Sequence, residues 1–172
     1  MKYFFIIQYF NHRKNIIKIT ESLINIPECE LIFHNDSNSD HDIFNELISK
    51  YPNLKVICSG DIHEIRGYNK CIPECKGEYI FICQDDDIIS DISFISNAEK
   101  LFNKYSFLGI VSFFKGGIYD WGLESEMYKK IDNNKIQYSI DNLNTQFILW
   151  GNIGPFMIKR TVINDIGMFD LD

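Results

Sequence analysis

The feature that most constrains the fold is a regular alternation of short apolar segments with segments that have a helical pattern. The four apolar segments are residues 3–9, 29–33, 54–58 and 79–83. Uninterrupted apolar character is typical of parallel strands covered on both faces, and the segments between them repeat apolar residues at helical spacing. Strands that alternate with helices form parallel sheets with right-handed crossovers. We therefore predict an α/β fold in which helices cover both faces of a mostly parallel sheet.

The pattern changes in the C-terminal part of the chain. A helix over residues 93–104 and a strand over residues 108–113 continue the alternation, but glycines and tryptophans then punctuate the sequence. Short apolar segments at residues 136–138 and 156–159 are predicted to add antiparallel strands. Because no linker-like stretch interrupts residues 1–172, we predict a single domain.

Charge and hydropathy narrow the class of partner. The 172-residue chain has 24 acidic and 17 basic residues, for a formal net charge of -7. Nucleic-acid binding is disfavoured because it requires a basic face that neutralises phosphates, so a small molecule is the expected partner. No apolar run approaches the roughly 20 residues that span a bilayer, and the N-terminal segment lacks the features of a signal peptide. We therefore expect no membrane span and a cytoplasmic location.

Polar clusters follow two of the predicted strands. Asp85, Asp86 and Asp87 come directly after the fourth strand, and the Asx-rich residues 35–40 follow the second. Carboxyl ends of parallel strands share one edge of a sheet, where ligands of such folds bind. Three adjacent aspartates favour a bound divalent cation, because like charges raise one another's pKa unless they are compensated. For either cluster alone, the alternative is a solvated turn that caps the next helix.

Several common catalytic patterns are missing from the sequence. It contains neither type of Gly-rich phosphate loop, no His pair at metal-ligand spacing and no serine in a nucleophile elbow. The five cysteines form no CxxC pair, and we interpret them as reduced thiols in or near the core.

Segments in a fixed order along the chain resemble motifs of the inverting family 2 glycosyltransferases. Phe10-Asn11-His12 resembles the family's Tyr-Asn-Arg, and residues 35–40 resemble its Asp-Asp-Gly-Ser-Thr-Asp loop. Residues 66–70 and 76–80 are similar to its Arg-Asn-x-Gly region and its Lys-Gly-Glu-Tyr-Ile, and residues 166–170 resemble its Gly-Gly-Phe-Asp-Glu. The chain departs from these motifs at Asn35, Tyr68 and Cys71, where the family usually has Asp, Arg and Gly.

The resemblance implies a fold, a donor and a set of binding residues. The fold is the GT-A fold, a Rossmann-like α/β/α sandwich, with its nucleotide-binding part over residues 1–105 and its acceptor-side part over residues 106–172. The implied partners are a nucleotide-diphospho-sugar donor and a glycan, lipid or protein acceptor. The nucleotide-binding residues that it implies are Phe10, Asn11, Asn35, Asp36, Asn69, Asp85 and Asp86.

A Mn²⁺ or Mg²⁺ cofactor is also implied, because residues 84–87 lie where the family has its Asp-x-Asp metal motif. Counting from Gly77 places the metal pair on Gln84 and Asp86, whereas the shape of the motif places it on Asp85 and Asp87. We predict Asp85 and Asp87, since glutamine is a poor ligand for a hard cation.

The catalytic base is the least determined feature. In the family the base lies in an acidic pair beyond the segment that residues 166–170 resemble, and no such pair occurs before Asp172. Asp170 is therefore the candidate base, and we expect slow transfer or none. The alternatives are a binding fragment without activity and, less favoured, a nucleotidyltransferase, whose first loop is usually Gly-rich whereas residues 9–13 contain no glycine.

Overall fold

In the computed structural model, which describes residues 1–87, 89, 92–112 and 155–170, six strands form one sheet in the order β3-β2-β1-β4-β6-β5. The strands are β1 (Tyr3–Tyr9), β2 (Cys29–Asn35), β3 (Leu54–Cys58), β4 (Tyr79–Gln84), β5 (Ile110–Ser112) and β6 (Phe156–Lys159). The helices are α1 (Arg13–Leu23), α2 (His41–Lys50), α3 (Glu64–Cys71), α4 (Ser93–Lys104) and α5 (Arg160–Ile166), with a 3₁₀ turn over Ile72–Glu74.

The sheet is parallel at its centre and antiparallel at one side. Strand β1 pairs in parallel with β2 and β4, and β2 pairs in parallel with β3. Strand β6 is antiparallel to both β4 and β5. The predicted α/β class and the antiparallel strand at residues 156–159 are therefore confirmed, whereas the strand predicted at residues 136–138 lies outside the described residues.

Every side chain of β1 is buried, and alternate residues enter two separate cores. Phe5 and Ile7 pack in the core that includes residues of α1, α2 and α4, whereas Phe4 and Ile6 pack against Tyr68 of α3. Fully burying a side chain of this size contributes about 1.5–3 kcal/mol. Helices on both faces thus account for the apolar residues on both sides of this strand.

The sequence predicts a short helix over residues 65–76 that is interrupted at Gly67 and Pro73, and the helix is observed to run through Gly67 and to break near Pro73. Helix α3 ends at Cys71 and continues only as the 3₁₀ turn Ile72–Glu74. Pro73 explains the break, because proline has no amide hydrogen to donate to the preceding turn.

The cysteines are free thiols, and Cys29, Cys71, Cys75 and Cys83 are buried. Cys58 is exposed, so it does not belong to the core. Burial raises the pKa of the Cys71 thiol to about 12, which keeps it protonated at neutral pH.

The chain divides into two units, and the described residues all belong to the one formed by residues 1–114 and 153–172. The other unit, residues 115–152, lies outside the described residues, and the single domain stays a prediction. Among the described helices, none combines the length and the apolar character needed to cross a bilayer.

Candidate functional site

The carboxyl ends of β1, β2, β3 and β4 lie at one edge of the sheet, and a polar loop follows each of them. Tyr9 pairs with Asn35, and Asn35 pairs with Cys58, so the ends of β1, β2 and β3 are level. On the other side of β1, Gln8 pairs with Gln84 at the end of β4. The structure thus brings together the two polar clusters that the sequence predicts to share an edge.

Asp85 connects the loop after β4 to the loop after β1. Its Oδ2 accepts a hydrogen bond from the Phe10 amide at 2.7 Å, and its Oδ1 lies 2.7 Å from His12 Nδ1. The hydrogen bond to Asp85 raises the pKa of His12 above its usual value. Asp85 is buried, and both of its carboxylate oxygens contact other parts of the chain.

The three adjacent aspartates differ in exposure. Asp85 and Asp87 are each 5% exposed, whereas Asp86 is exposed. Oδ2 of Asp87 accepts a hydrogen bond from the Gln84 amide at 2.8 Å, which closes a turn directly after β4. Asp86 is therefore the most accessible carboxylate of the three, and the metal pair Asp85 and Asp87 stays a prediction.

The carboxylate oxygens in the loop after β4 are ligands that suit a hard divalent cation. Within the part of the chain that the structure describes, no group of three or more His, Cys, Asp or Glu side chains is arranged to hold an ion by itself. Mg²⁺ and Mn²⁺ are commonly held by one or two carboxylates together with substrate phosphates and water. An exposed Asp86 between two buried aspartates suits such an arrangement.

Asn35, at the end of β2, shapes the loop that follows it. Its Nδ2 donates to the Ser39 carbonyl at 2.6 Å, and its Oδ1 accepts from the Ser37 hydroxyl at 3.2 Å. The Asn11 Oδ1 in turn accepts from the Ser39 hydroxyl at 3.0 Å, which links this loop to the one after β1. The predicted binding residues Asn11 and Asn35 thus lie together, and Asn35 acts through the shape of its own loop.

Asp36 is 1% exposed, and four polar groups surround its carboxylate. Oδ1 accepts from the Ile62 amide at 2.8 Å and the Ser59 hydroxyl at 3.1 Å. Oδ2 accepts from the His63 amide at 2.9 Å and Gln8 Nε2 at 3.3 Å. Burial by itself raises the pKa of Asp36, but the hydrogen bonds from Ile62, Ser59 and His63 and the nearby His34 together hold it below its usual value.

Gln8, His34 and the partly buried Ser59 complete a polar group around Asp36, and we call these four residues the Asp36 cluster. His34 Nδ1 lies 2.5 Å from Gln8 Oε1, and His34 Nε2 contacts the Ser59 hydroxyl. Burial lowers the pKa of His34, which is fully inaccessible to solvent. Gly67 of α3 lies directly against this cluster, since a Cβ at Gly67 would be 2.3 Å from His34 Nδ1 and 2.8 Å from Gln8 Oε1.

The loop after β3 has an unusual backbone. Asp61 has φ 53°, and His63 has φ 65° with ψ 169°, a region that is almost restricted to glycine. A residue in such a conformation costs about 1–3 kcal/mol, and it persists only where the surroundings hold it. The carboxylate of Asp36 supplies that hold, because it accepts hydrogen bonds from the amides of both Ile62 and His63.

Phe10 lies at the edge of the sheet with its side chain 46% exposed. The hydrogen bond from its amide to Asp85 fixes the backbone at this point, and the following Asn11 has φ 62°. An exposed aromatic ring on a fixed backbone presents a flat surface on which a nucleobase can stack.

Asn69 and Asp170 lie where α3 contacts the segment after α5. Asn69 Nδ2 donates to the Phe169 carbonyl at 2.7 Å, and the Phe169 amide donates to Asn69 Oδ1 at 3.0 Å. The Phe169 ring packs near the rings of Tyr68 and Phe156. Asn69 therefore fixes the backbone next to Asp170, whose own side chain is exposed.

The sequence analysis missed the role of Gln8, His34, Ser59 and Gly67. Gln8 and His34 are polar residues inside otherwise apolar strands, and this is the signal by which they could have been found. A buried polar side chain needs partners, so two of them at matching positions of adjacent strands indicate a polar contact between those strands.

Comparison with known protein families identifies the class to which this fold and site belong. The model of glycosyl transferase family 2 matches residues 4–167, and the chain belongs to this family. Comparison with curated proteins gives no match.

Three solved structures that share this fold are compared with the chain. TarS from S. aureus, residues 1–349, is 19% identical with a TM-score of 0.66, and the match covers 96% of this chain and 49% of that one. A structure of the same TarS segment with UDP-GlcNAc has a TM-score of 0.65 at 19% identity, covering 96% and 47%. The mannosyltransferase PcManGT from Pyrobaculum calidifontis, with GDP-Man and Mn²⁺, is 14% identical with a TM-score of 0.65, covering 99% and 48%.

These matches confirm the GT-A fold that the sequence motifs imply. The chain spans about half the length of these solved structures, since at most 49% of each of the three is covered.

Proposed function

We propose that this chain provides the donor site of a glycosyltransferase that moves a sugar from a nucleotide-diphospho-sugar to an acceptor hydroxyl with inversion, assisted by Mn²⁺ or Mg²⁺. The observation that carries the proposal is the single edge of the sheet from which the loops with Phe10, Asn11 and Asp86 and the loop over residues 59–63 all begin. TarS has been solved with UDP-GlcNAc and PcManGT with GDP-Man, which supports a nucleotide-sugar donor here.

The donor lies across the four loops in this proposal. The nucleobase stacks on the exposed ring of Phe10, next to Asn11 and the loop that Asn35 shapes. The diphosphate extends toward the loop after β4, where Asp86 is exposed. Asp85 holds the loops after β1 and β4 at a constant separation, so that base and diphosphate are bound by one rigid surface.

Asp86 is the residue that would hold the divalent cation, with Asp85 and Asp87 beside it. When bound there, the cation compensates the charge of the leaving diphosphate. Asp85 and Asp87 keep Asp86 in place through their hydrogen bonds to Phe10 and Gln84.

Asp170 is the proposed base on the acceptor side. An exposed carboxylate on a fixed backbone can accept the proton of an attacking hydroxyl, and general-base catalysis contributes on the order of 10²–10⁴-fold. The two hydrogen bonds between Asn69 and Phe169 supply the fixed backbone. The acceptor in this proposal is a glycan, a lipid or a protein. The proposed location of the chain is the cytoplasm.

Isothermal titration with UDP, GDP, CDP and dTDP, each with Mn²⁺ and with EDTA, tests the proposal. We expect one diphosphate to bind preferentially and its affinity to fall on removal of the metal. Substitution Phe10→Ala should weaken binding of that diphosphate about 5- to 150-fold, since stacking on an aromatic ring is worth about 1–3 kcal/mol per base.

Ile17→Ala is a matched control for Phe10→Ala, because Ile17 is a similarly exposed apolar residue on α1, 48% accessible. It should leave nucleotide affinity unchanged. Equal affinity for all four diphosphates in Mn²⁺ and in EDTA contradicts the proposed donor site. Sugar transfer is tested by incubating the chain with sugar nucleotides and a panel of acceptors. Loss of transfer in Asp170→Asn supports Asp170 as the base.

A further inference from the structure

His12 connects the loop after β1 to the loop after β4, and the proposed function gives it no role. It directly precedes α1, and its carbonyl accepts a hydrogen bond from the Asn15 amide at 2.8 Å. Its Nδ1 lies 2.7 Å from Asp85 Oδ1, and Asn15 Nδ2 donates to the Asp85 carbonyl at 2.7 Å. The imidazole is therefore held at its backbone and at its ring, although the side chain is 55% exposed.

The contact with Asp85 determines which ring nitrogen of His12 is available to a ligand. An ionised carboxylate can only accept hydrogen bonds, so Nδ1 carries the hydrogen of this contact. Nε2, at the far end of the ring, has no hydrogen-bond partner among the residues that the structure describes. A carboxylate bound to one ring nitrogen of a histidine fixes the orientation of the ring and therefore the direction of the other nitrogen. His12 thus offers one oriented hydrogen-bonding atom.

The place of His12 between two proposed contacts suggests which part of the donor it meets. The amide of Phe10, whose ring is assigned to the nucleobase, donates to the same carboxylate at 2.7 Å. Asp86, assigned to the diphosphate, directly follows Asp85, and it is close enough to contribute to the raised pKa of His12. The ribose links base and diphosphate in every nucleoside diphosphate. A donor that extends from Phe10 to Asp86 therefore has its ribose on the side of His12.

The chemistry of Nε2 also favours the ribose over the other groups of the donor site. A cation would need the neutral ring, and Mg²⁺ and Mn²⁺ prefer oxygen ligands. A phosphate oxygen would need a hydrogen on Nε2, and hence the charged ring. A hydroxyl both donates and accepts, so it can bind Nε2 in either protonation state. A ribose hydroxyl is therefore the partner that does not depend on the charge of His12.

We propose that His12 Nε2 binds a ribose hydroxyl of the donor, so that the chain discriminates against nucleotides that lack this hydroxyl. The proposal rests on the proposed function for the presence of a nucleotide donor, and it adds a residue that is specific for the sugar of the nucleotide. In the motif that residues 10–12 resemble, this position is arginine, which only donates hydrogen bonds. The nitrogen that can also accept is thus a feature of this chain.

The first test is a double-mutant cycle between His12 and the ribose. Titration of UDP, GDP and CDP in Mn²⁺ identifies the preferred base. The 2′-deoxy and 3′-deoxy forms of that diphosphate are then compared in the unsubstituted chain and in His12→Ala. We expect one deoxy form to bind the unsubstituted chain about 5- to 10-fold more weakly, as for the loss of a hydrogen bond. In His12→Ala, removal of the same hydroxyl should change the affinity less than about twofold, because its partner is absent.

The ratio between the two forms separates this contact from a disturbed loop, since a general effect of His12→Ala lowers both affinities equally. His41→Ala is the matched control, because His41 is another exposed histidine, at the first position of α2. It should keep the ratio of the unsubstituted chain. The same ratio in His12→Ala as in the unsubstituted chain would overturn the proposal. If His12→Ala keeps the ratio but abolishes the difference between Mn²⁺ and EDTA, His12 acts on the cation and the proposal is wrong.

Nitrogen NMR of the imidazole rings gives a second readout, with Mg²⁺ in place of the paramagnetic Mn²⁺. Saturation with the preferred diphosphate should shift the Nε2 resonance of His12 and leave the ring of His41 unchanged. An unchanged Nε2 resonance would overturn the proposal. If the unsubstituted chain binds none of the ribonucleotides, the proposed function fails and this proposal fails with it. Nucleotide binding in which the ribose hydroxyls and His12 act independently overturns this proposal alone.

Discussion

The Asp36 cluster and the three aspartates after β4 lie at the same edge of the sheet, but they are built in opposite ways. In the Asp36 cluster the only carboxylate is buried, and it accepts hydrogen bonds from the Ile62 and His63 amides. After β4, the two outer aspartates are buried, and the middle one is exposed. The first carboxylate thus hydrogen-bonds a loop of the protein, whereas the second arrangement leaves one carboxylate exposed to solvent.

The largest expected effect is on the aspartates after β4. Asp86→Ala should abolish the difference between nucleotide affinity in Mn²⁺ and in EDTA, with a loss of about 100-fold or more in Mn²⁺. Substitution of groups that only support a metal ligand typically costs 10–100-fold, and Asp86 is proposed as the ligand itself. Isothermal titration of the preferred diphosphate measures it.

Asp87→Asn is the matched variant, since it keeps the shape of a buried neighbour whose Oδ2 accepts from the Gln84 amide. It should lower the unfolding temperature, and nucleotide affinity should still differ between Mn²⁺ and EDTA. The reverse result, in which Asp87→Asn abolishes metal dependence and Asp86→Ala retains it, would return the metal site to the register over Asp85 and Asp87 that the motif predicts.

A second prediction concerns the contact between α3 and the Asp36 cluster. A methyl group at Gly67 would lie 2.3 Å from His34 Nδ1, so Gly67→Ala should displace His34 and destabilise the protein by about 1–3 kcal/mol. Gly60→Ala is the control in the loop itself, where an added Cβ has no atom within 4 Å, and its effect should stay within about 0.5 kcal/mol. Denaturant unfolding measures both. Similar values for the two variants would mean that the cluster is not closely packed.

Much of the fold is predictable from periodicity alone. The predicted bounds of β1, β3, β6 and α4 coincide with those observed, because the pattern of apolar residues directly reports burial. For α3, the predicted interruption at Pro73 is observed, because a proline inside a helical pattern breaks the helix before it, whereas the predicted interruption at Gly67 is not. Membership of the family also follows from the order of short motifs, none of which is specific alone.

The location of the site is predictable, but the direction of its side chains is not. Loops after parallel strands share an edge whatever their sequence, which is why the two acidic clusters lie at the same edge. Asp36 faces inward because amides 26 and 27 residues further along the chain point at it, and no local pattern encodes such a contact. The choice of Asp85 and Asp87 as metal ligands rested on ligand chemistry, whereas exposure favours Asp86.

A third prediction concerns the effect of pH on the stability of the Asp36 cluster. Burial lowers the pKa of His34 in the folded protein, although Asp36 opposes this and Lys70 adds to it. Below about pH 6.5, His34 therefore binds a proton more readily in the unfolded chain than in the folded protein. Folding stability falls as the pH falls through this range. The contribution of His34 is fully present above that pH.

His34→Gln removes the titrating group and keeps a polar side chain in the cluster. Unfolding free energies at pH 7 and at pH 5.5 should differ less in His34→Gln than in the unsubstituted chain. An equal pH dependence in the two proteins would show that His34 does not titrate differently in the folded state.

The smallest effects are expected at the rim of the site, where Arg13 pairs with two carboxylates. Asp42 is 68% exposed, and its Oδ2 accepts a hydrogen bond from Arg13 Nη2 at 2.5 Å. The hydrogen bond from Arg13 lowers the pKa of Asp42 to about 2. Asp40 is only 16% exposed, and it also accepts from the Tyr9 hydroxyl and from Arg13 Nη1 at 2.6 Å. The same arginine thus takes part in one exposed pair and one partly buried pair.

Exposed ion pairs contribute little because water screens them, whereas partly buried hydrogen bonds to a charged group are worth about 1.5–3 kcal/mol. Asp42→Asn should therefore leave the unfolding free energy and the nucleotide affinity unchanged within error, and Asp40→Asn should destabilise the protein by about 1–2 kcal/mol. Raising the salt concentration should remove any residual effect of Asp42→Asn but not that of Asp40→Asn, since screening acts mainly on exposed charges. Denaturant unfolding at low and high salt measures both, and equal losses in the two variants would contradict the role given to burial at this edge.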